Sequence, residues 1–250
     1  MPHAIVLLTD FGERDPYVAS MKGVIASRCD VAIHDLTHDI APHDVFEAAW
    51  FLRAAERWWG NGAIFVCVVD PGVGTSRRIL AMESSKRVFL APDNGLLTFI
   101  DAQTIVSIEN ESLFLPNGST TFHGRDRFAP VAAAIANGMA LADLGPRVDD
   151  IVKIDYTPPA YGDENVSGTI IAIDRFGNAI TDIERARIPF HPFALQVHYT
   201  TVSRIATTYE SDEPFLIAGS SGTIEISIGA ASAADVLHLR RGDRVEIIRS

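Results

Sequence analysis

Residues 64–78 read Ile-Phe-Val-Cys-Val-Val-Asp-Pro-Gly-Val-Gly-Thr-Ser-Arg-Arg. The apolar run Ile64 to Val69 has the length and the β-branched content of a strand buried on both faces. It stops at Asp70, and Pro71, Gly72 and Gly74 force a turn before Arg77 and Arg78. A carboxylate at the end of a buried strand, with a guanidinium a few residues on, aims charge into the crevice at the carboxyl ends of an α/β sheet. Clusters of the same kind recur at Thr9-Asp10-Phe11-Gly12, Ala91-Pro92-Asp93-Asn94-Gly95 and Phe122-His123-Gly124-Arg125-Asp126. Together they point to one composite site.

Working outward, residues 4–9 read as another buried strand, Asp15 to about Cys29 as a helix, and residues 31–36 as a strand. His43 to Trp59 is the clearest helix, its apolar stripe including Trp50, Trp58 and Trp59 as core, and Gly60-Asn61-Gly62 ends it. Strands follow at 63–69, 79–84 and 87–91, then a helix over about 126–136 closed by Asn137-Gly138. Strands alternating with helices predict a Rossmann-like α/β domain with a mostly parallel sheet over residues 1–156. Thr157 to Asn165 reads as a linker. Beyond it, short strands at 166–173, 179–183, 193–199, 215–217, 223–228 and 244–248 predict a small all-β barrel domain over 166–250.

The chain has 250 residues and a net charge of −11, which argues against a long phosphate-backbone footprint and so against a nucleic-acid partner. Cys29 and Cys67 read as buried, inert thiols without metal-ligand spacing around them. The start, Met1-Pro2-His3-Ala4-Ile5-Val6, reads as a first strand and not as a signal peptide, and no apolar run has membrane-spanning length. The expectation is a soluble cytoplasmic protein.

Each motif carries two readings. Asp10 at a strand end has the two acceptor oxygens that match a ribose diol, or else it or Asp15 caps a helix. Asp70 beside Arg77 is an acid that orients or polarises something small, or else it caps a turn; the segment lacks the Gly-Lys-Ser/Thr ending of a phosphate loop. His123 can exchange a proton near neutral pH, or is structural. Asn178 could read the edge of a base with Phe176 stacked on it, or Gly177-Asn178 is a hairpin turn. His34, Asp35, His38 and Asp39 fail as a metal cluster because neighbours on a strand point opposite ways.

Taken together, Thr9-Asp10-Phe11-Gly12…Asp15, Asp70-Pro71-Gly72-Val73-Gly74…Arg77, Ala91-Pro92-Asp93-Asn94-Gly95-Leu96-Leu97, Phe122-His123-Gly124-Arg125-Asp126 and Ile173-Asp174-Arg175-Phe176-Gly177-Asn178 carry a specific likeness over nearly the full length. The chain resembles the S-adenosyl-L-methionine (SAM) hydroxide adenosyltransferases, adenosine-forming SAM hydrolases related to fluorinase and chlorinase. The resemblance implies an N-terminal α/β domain, a C-terminal β-barrel, and trimers that bind SAM between the N-domain of one subunit and the C-domain of its neighbour. It implies no cofactor and no metal, SAM being the substrate. Carried over, the catalytic triad falls on Asp70, Arg77 and His123, with Arg78 as the alternative arginine. Asp10 would hold the ribose, and Asp15 and Asp174 the methionine ammonium. Asn178 and Phe176 would face the adenine and Tyr209 would stack on it. Ser221, Ser227 and the Ala230 backbone would line the methionine and adenine ends.

Departures from the halogenases point to water as nucleophile. Gly124 stands where the fluorinase has its halide-contacting serine and Asp70 where it has a tyrosine, and Ser84-Ser85-Lys86 leaves no room for the fluorinase insertion. A SAM-dependent chlorinase and a SAM- or nucleoside-binding module without turnover are the competing classes. A generic SAM methyltransferase would need a Gly-rich loop after strand one, and Phe11-Gly12-Glu13-Arg14 is not one.

Overall fold

Strand β1 (Ala4–Thr9) is buried along its whole length. Its side chains alternate between two cores: Ile5 and Leu7 in one, Val6 and Leu8 in the other. The computed structural model describes residues 4–249. It divides the chain into two compact units, residues 1–155 and 156–250.

In the first unit, β1 is followed by α1 (Tyr17–Ala26), β2 (Ala32–Thr37), α2 (Val45–Glu56), β3 (Ala63–Val68), β4 (Ile79–Ser84), β5 (Arg87–Pro92), β6 (Thr104–Ser107) and α3 (Ala129–Ala136). The sheet order is β2-β1-β3-β5-β4-β6. Val18, Met21 and Ile25 of α1 and Val131, Ala132 and Ile135 of α3 cover one face. Ala48 and Leu52 of α2 cover the other. Asp44 starts α2 as its cap, accepting a hydrogen bond from the Glu47 amide at 2.9 Å.

The sheet is mixed where a mostly parallel one is expected. β1 pairs parallel with β2 and β3, and β3 with β5, but β4 runs antiparallel to both β5 and β6. The reversal is made by a two-residue turn, Ser85 and Lys86, at φ +48° and +61°. Two positive φ values suit the twist of a tight hairpin, and they occur here without the Asn-Gly or Asp-Gly that advertises such a turn. A second difference concerns the tryptophan stripe: α2 ends at Glu56, and Trp58 lies beyond it 74% exposed, not in the core.

The second unit holds β7 (Ala160–Tyr161), β8 (Asn165–Ile173), β9 (Ala179–Glu184), β10 (Phe193–Val197), β11 (Thr200–Val202), β12 (Phe215–Ala218), β13 (Thr223–Ser227), the short α4 (Ala233–Val236) and β14 (Arg244–Arg249). The order is β11-β10-β14-β8-β9-β13-β12, with β7 on β8, and these pairings are antiparallel. The segment after β11 meets β12 through an Ile205–Leu216 bridge, so the sheet nearly closes on itself around its own core. The expected strand over 193–199 is broken by His198 at φ +51°, which turns β10 back as β11.

The turn after β3 depends on Gly74, at φ +81°, where a Cβ would fall 2.7 Å from the Thr120 carbonyl oxygen. Backbone cannot yield as a side chain end can, and the left-handed conformation adds strain. Gly74→Ala is expected to destabilise the protein by about 1–3 kcal/mol, read as a lower denaturation midpoint. An unchanged midpoint would show that the turn repacks freely.

Candidate active site

Asp70 follows the buried end of β3 and opens a turn in which the Val73 amide donates to its carbonyl at 3.2 Å. The chain then comes back, and Arg77 reaches the carboxylate. Arg77 Nε donates to Oδ1 and Oδ2 of Asp70, each at 2.9 Å, and Nη2 also donates to Oδ2. Both side chains are nearly excluded from solvent, 9% exposed for Arg77 and 4% for Asp70. Arg77 Nη2 further lies 2.8 Å from His123 Nδ1.

That contact fixes the histidine tautomer. A guanidinium only donates, so Nδ1 of His123 accepts, and the neutral ring carries its proton on Nε2. Burial, with the Arg127 and Arg77 cations nearby, pulls the imidazole down to about 4. His123 is therefore neutral at physiological pH. Its Nε2 and Nη1 of Arg77 are buried with no hydrogen-bond partner among the described residues. Buried donors without a partner are rare in folded proteins and call for an explanation.

Arg78, one residue on, is elsewhere. It donates to Asp93 Oδ2 at 2.8 Å and to Asp150 Oδ1 at 3.0 Å, while Asp93 Oδ1 accepts from the Val152 amide at 2.8 Å. Asn94 Nδ2 donates to the Val69 carbonyl at 2.8 Å. The Ala91–Gly95 motif is thus a brace under the end of β3.

His123 leads into a wide π-type turn, Gly124–Phe128, that feeds α3. Such turns re-aim side chains at functional positions. The rings of Phe11, Tyr17 and Phe122 meet edge to face at 5.2–5.9 Å. They wall a cavity of about 290 Å³ that Asp10, Asp70 and His123 also line. Asp10 Oδ2 accepts from the His43 amide at 2.9 Å. Asp15 is exposed and does not line this cavity.

The second unit has its own cavity of about 860 Å³, lined by Asp174, Phe176, Asn178, Tyr209, Glu225 and Ala230 among others. Asp174 organises one lip: Oδ1 accepts from the amides of Phe176 and Asn178 at 2.9 and 2.8 Å, and Oδ2 from Asn178 Nδ2 at 2.8 Å. Phe176 and Tyr209 present rings that are 77% and 49% exposed. Burial and the neighbouring Glu225 hold the Tyr209 phenol protonated, its pKa pushed up to about 12. Ser221 is bonded to Thr223, and Ser227 Oγ is buried in β13 without a partner among the described residues; neither lines the cavity.

Models of the SAM hydroxide adenosyltransferase N-terminal and C-terminal domains match residues 5–145 and 168–246. The chain belongs to this family. It is 36% identical to the (R)-S-adenosyl-L-methionine hydrolase of Thermus thermophilus, over 98% of this chain and 99% of that one. The fluorinase of Actinopolyspora mzabensis is more distant, 26% identical over 98% and 97%. A crystal structure of an uncharacterized conserved protein from Thermotoga maritima superposes with a TM-score of 0.91 at 33% identity, over 98% and 100% of the two chains.

For this SAM hydroxide adenosyltransferase family member, sequence reading missed Tyr17, His43 and Glu225 as cavity residues. Glu225 carried no signal: between Ile224 and Ile226 on a strand, an acid reads as facing solvent, yet all of β13 is buried.

The folded His123 titrates near 4 and an unfolded one near 6.5. Between those values the unfolded chain binds the extra proton, so stability falls as the pH is lowered through that window and is regained above it. His123 should cost the fold up to about 3 kcal/mol by pH 4. Thermal denaturation followed from neutral pH to pH 4 should fall less steeply for His123→Gln than for the unaltered protein. Parallel curves would mean that the folded imidazole protonates normally.

Proposed function

We infer that this protein hydrolyses SAM to adenosine and L-methionine. Family membership carries the reaction, and the buried Asp70–Arg77–His123 chain carries the mechanism. Water attacks C5′ in line with the C5′–S bond; the C–O bond forms as the C–S bond breaks. The electron pair goes to sulfur, methionine leaves as a neutral thioether, and one proton is released from the water. No acid is needed for departure. Fixing the water in line supplies much of the acceleration, at best about 7–11 kcal/mol.

Asp70 is the acceptor for the proton. His123 cannot take it at Nδ1, which Arg77 occupies, nor at Nε2, which is already protonated. Its role is to hold the Arg77 guanidinium and to donate from Nε2 to the nucleophile, orienting a water lone pair toward C5′. Asp10 takes the ribose hydroxyls. Phe176, Asn178 and Tyr209 take the adenine, with the Ala230 backbone beside them. Asp174 takes the methionine ammonium.

The first unit serves as a Rossmann-like frame, with the nucleoside at the carboxyl ends of β1 and β3. The assembly is a homotrimer in which one subunit's first unit and a neighbour's second unit share each substrate. In support, Asp70 and His123 line one cavity and Phe176, Asn178 and Tyr209 another. No helix among the described residues is long and apolar enough to cross a membrane. The free thiols of Cys29 and Cys67 suit the reducing cytoplasm. Relatives carry the name (R)-SAM hydrolase, and we extend that sulfonium configuration to this chain.

The chlorinase alternative meets a steric objection. A Cβ at 124 would sit 3.0 Å from Met21 Sδ and 3.3 and 3.4 Å from ring carbons of Phe122 and Phe11, so a halide-binding serine there needs the wall to shift.

In ¹⁸O-water with both sulfonium epimers supplied, the (R) epimer should be consumed over many enzyme equivalents, yielding adenosine labelled at the 5′ oxygen. Unlabelled adenosine, a chloride-dependent product or a single turnover would overturn the reading. Asp70→Asn should lower kcat by roughly 10²–10⁴-fold. Arg77→Lys loses the two-pronged contact and should also be slow, whereas Arg78→Lys should keep near-normal kcat and act on stability.

A further inference from the structure

We propose that Glu225 selects an amino-substituted purine over an oxo-substituted one in the second unit's cavity. The proposal rests on the reading of that cavity as the adenine site, and goes beyond it by naming the group that reads the base edge.

Glu225 is 6% exposed, in the middle of β13. Among the described residues its carboxylate meets a phenol, Tyr209 Oη, which donates to Oε2 at 3.1 Å. Burial and the negative charge of Asp174 raise its pKa above the ordinary value. A buried acid held by one neutral donor is costly for a fold and calls for a ligand that repays it. The surrounding chain is cut to fit it. A Cβ at Gly219 would lie 1.6 Å from Glu225 Oε1, although Gly219 is not among the glycines at positive φ. Glycine stands there to leave room for the carboxyl group, not to bend the chain.

The neighbouring amide narrows the choice. Asn178 Nδ2 donates to Asp174 Oδ2, which sets the amide orientation and leaves Oδ1 as its acceptor. The cavity thus combines two aromatic faces, Phe176 and Tyr209, with acceptor oxygens on Asn178 and Glu225. Flat walls suit a base, and acceptors suit the two N–H bonds of an exocyclic amine. An oxo group at the same position would bring lone pairs against oxygen.

Calorimetric titration of adenosine and inosine into the intact protein tests this without turnover. The unaltered protein should prefer adenosine by roughly 10²-fold, as sites built to hydrogen-bond one group reject its opposite. Glu225→Gln keeps the shape and adds an N–H donor, so the preference should fall about tenfold or more and the KM for SAM should rise, while the denaturation midpoint stays close. A loss of selectivity without loss of fold is not what a merely structural residue would give. Equal binding of the two nucleosides to the unaltered protein, or full selectivity in Glu225→Gln, would overturn the assignment of Glu225 alone. Failure of adenosine to bind at all would overturn the reading of the cavity, and the assignment with it.

Discussion

Arg77 holds two partners with one guanidinium, and the first unit's cavity is arranged around that. A guanidinium has donors and no acceptor, so both groups it touches must accept. Asp70 does so as a carboxylate and His123 through Nδ1. The cation neutralises a carboxylate that is 4% exposed, a burial that would otherwise be very costly. Burial first, then Arg127 and the same cation, keep the imidazole uncharged. The pairing of Asp70 and the tautomer of His123 thus follow from one residue. Much of the surrounding chain brings Arg77 back over the end of β3: the turn that needs Gly74, the Asn94 bond to the Val69 carbonyl and the π-type turn after His123.

What was legible in the sequence is what burial dictates. Runs such as Ile64–Val69 can only be strands with both faces covered, and the polar residues that end them can only sit at the rim. The α/β then all-β order followed from that, as did the grouping of Asp10, Asp70 and His123. Less legible was anything decided by backbone geometry without a glycine. Ser85-Lys86 and His198 turn tightly with ordinary residues, so the antiparallel β4 and the short β11 were hidden. Arg77 and Arg78 are chemically identical neighbours. What separates them is Asp93 and Asp150, and Asp150 is 72 residues away from Arg78. Asp15, Ser221 and Ser227 were named from motifs and line neither cavity, whereas Glu225 was passed over because a strand acid looks like solvent decoration until its burial is seen.

The two cavities differ in how they are stiffened. In the first unit, side chains grip backbone: Asp93 holds the Val152 amide and Asp126 the Ser119 amide. In the second, close backbone approach does the same work. A Cβ at Gly177 would lie 2.2 Å from Ser232 Oγ, and the Ala234 amide donates to the Gly177 carbonyl at 2.9 Å, clasping the loop that carries Asp174 and Asn178 to the start of α4. Preorganisation of either kind matters for a reaction whose acceleration comes from alignment.

The proposed chemistry also explains why Asp70 is paired with an arginine, whereas the proposed substrate contacts Asp10 and Asp174 accept from amides. SAM carries a sulfonium charge that disappears as the C5′–S bond breaks. Acids facing that charge stabilise the bound substrate more than the transition state, so they favour capture and the release of uncharged adenosine but do not raise the rate. The attacking water behaves in the opposite sense. Positive charge grows on its oxygen as the new bond forms, and an acceptor placed there gains strength in the transition state. In the proposed site Asp70 is the carboxylate in that position, and pairing with Arg77 would remove the attraction it otherwise exerts on the sulfonium of the ground state. On that proposal the arginine makes Asp70 selective for the moment of attack, which a lone acid at the end of β3 could not be.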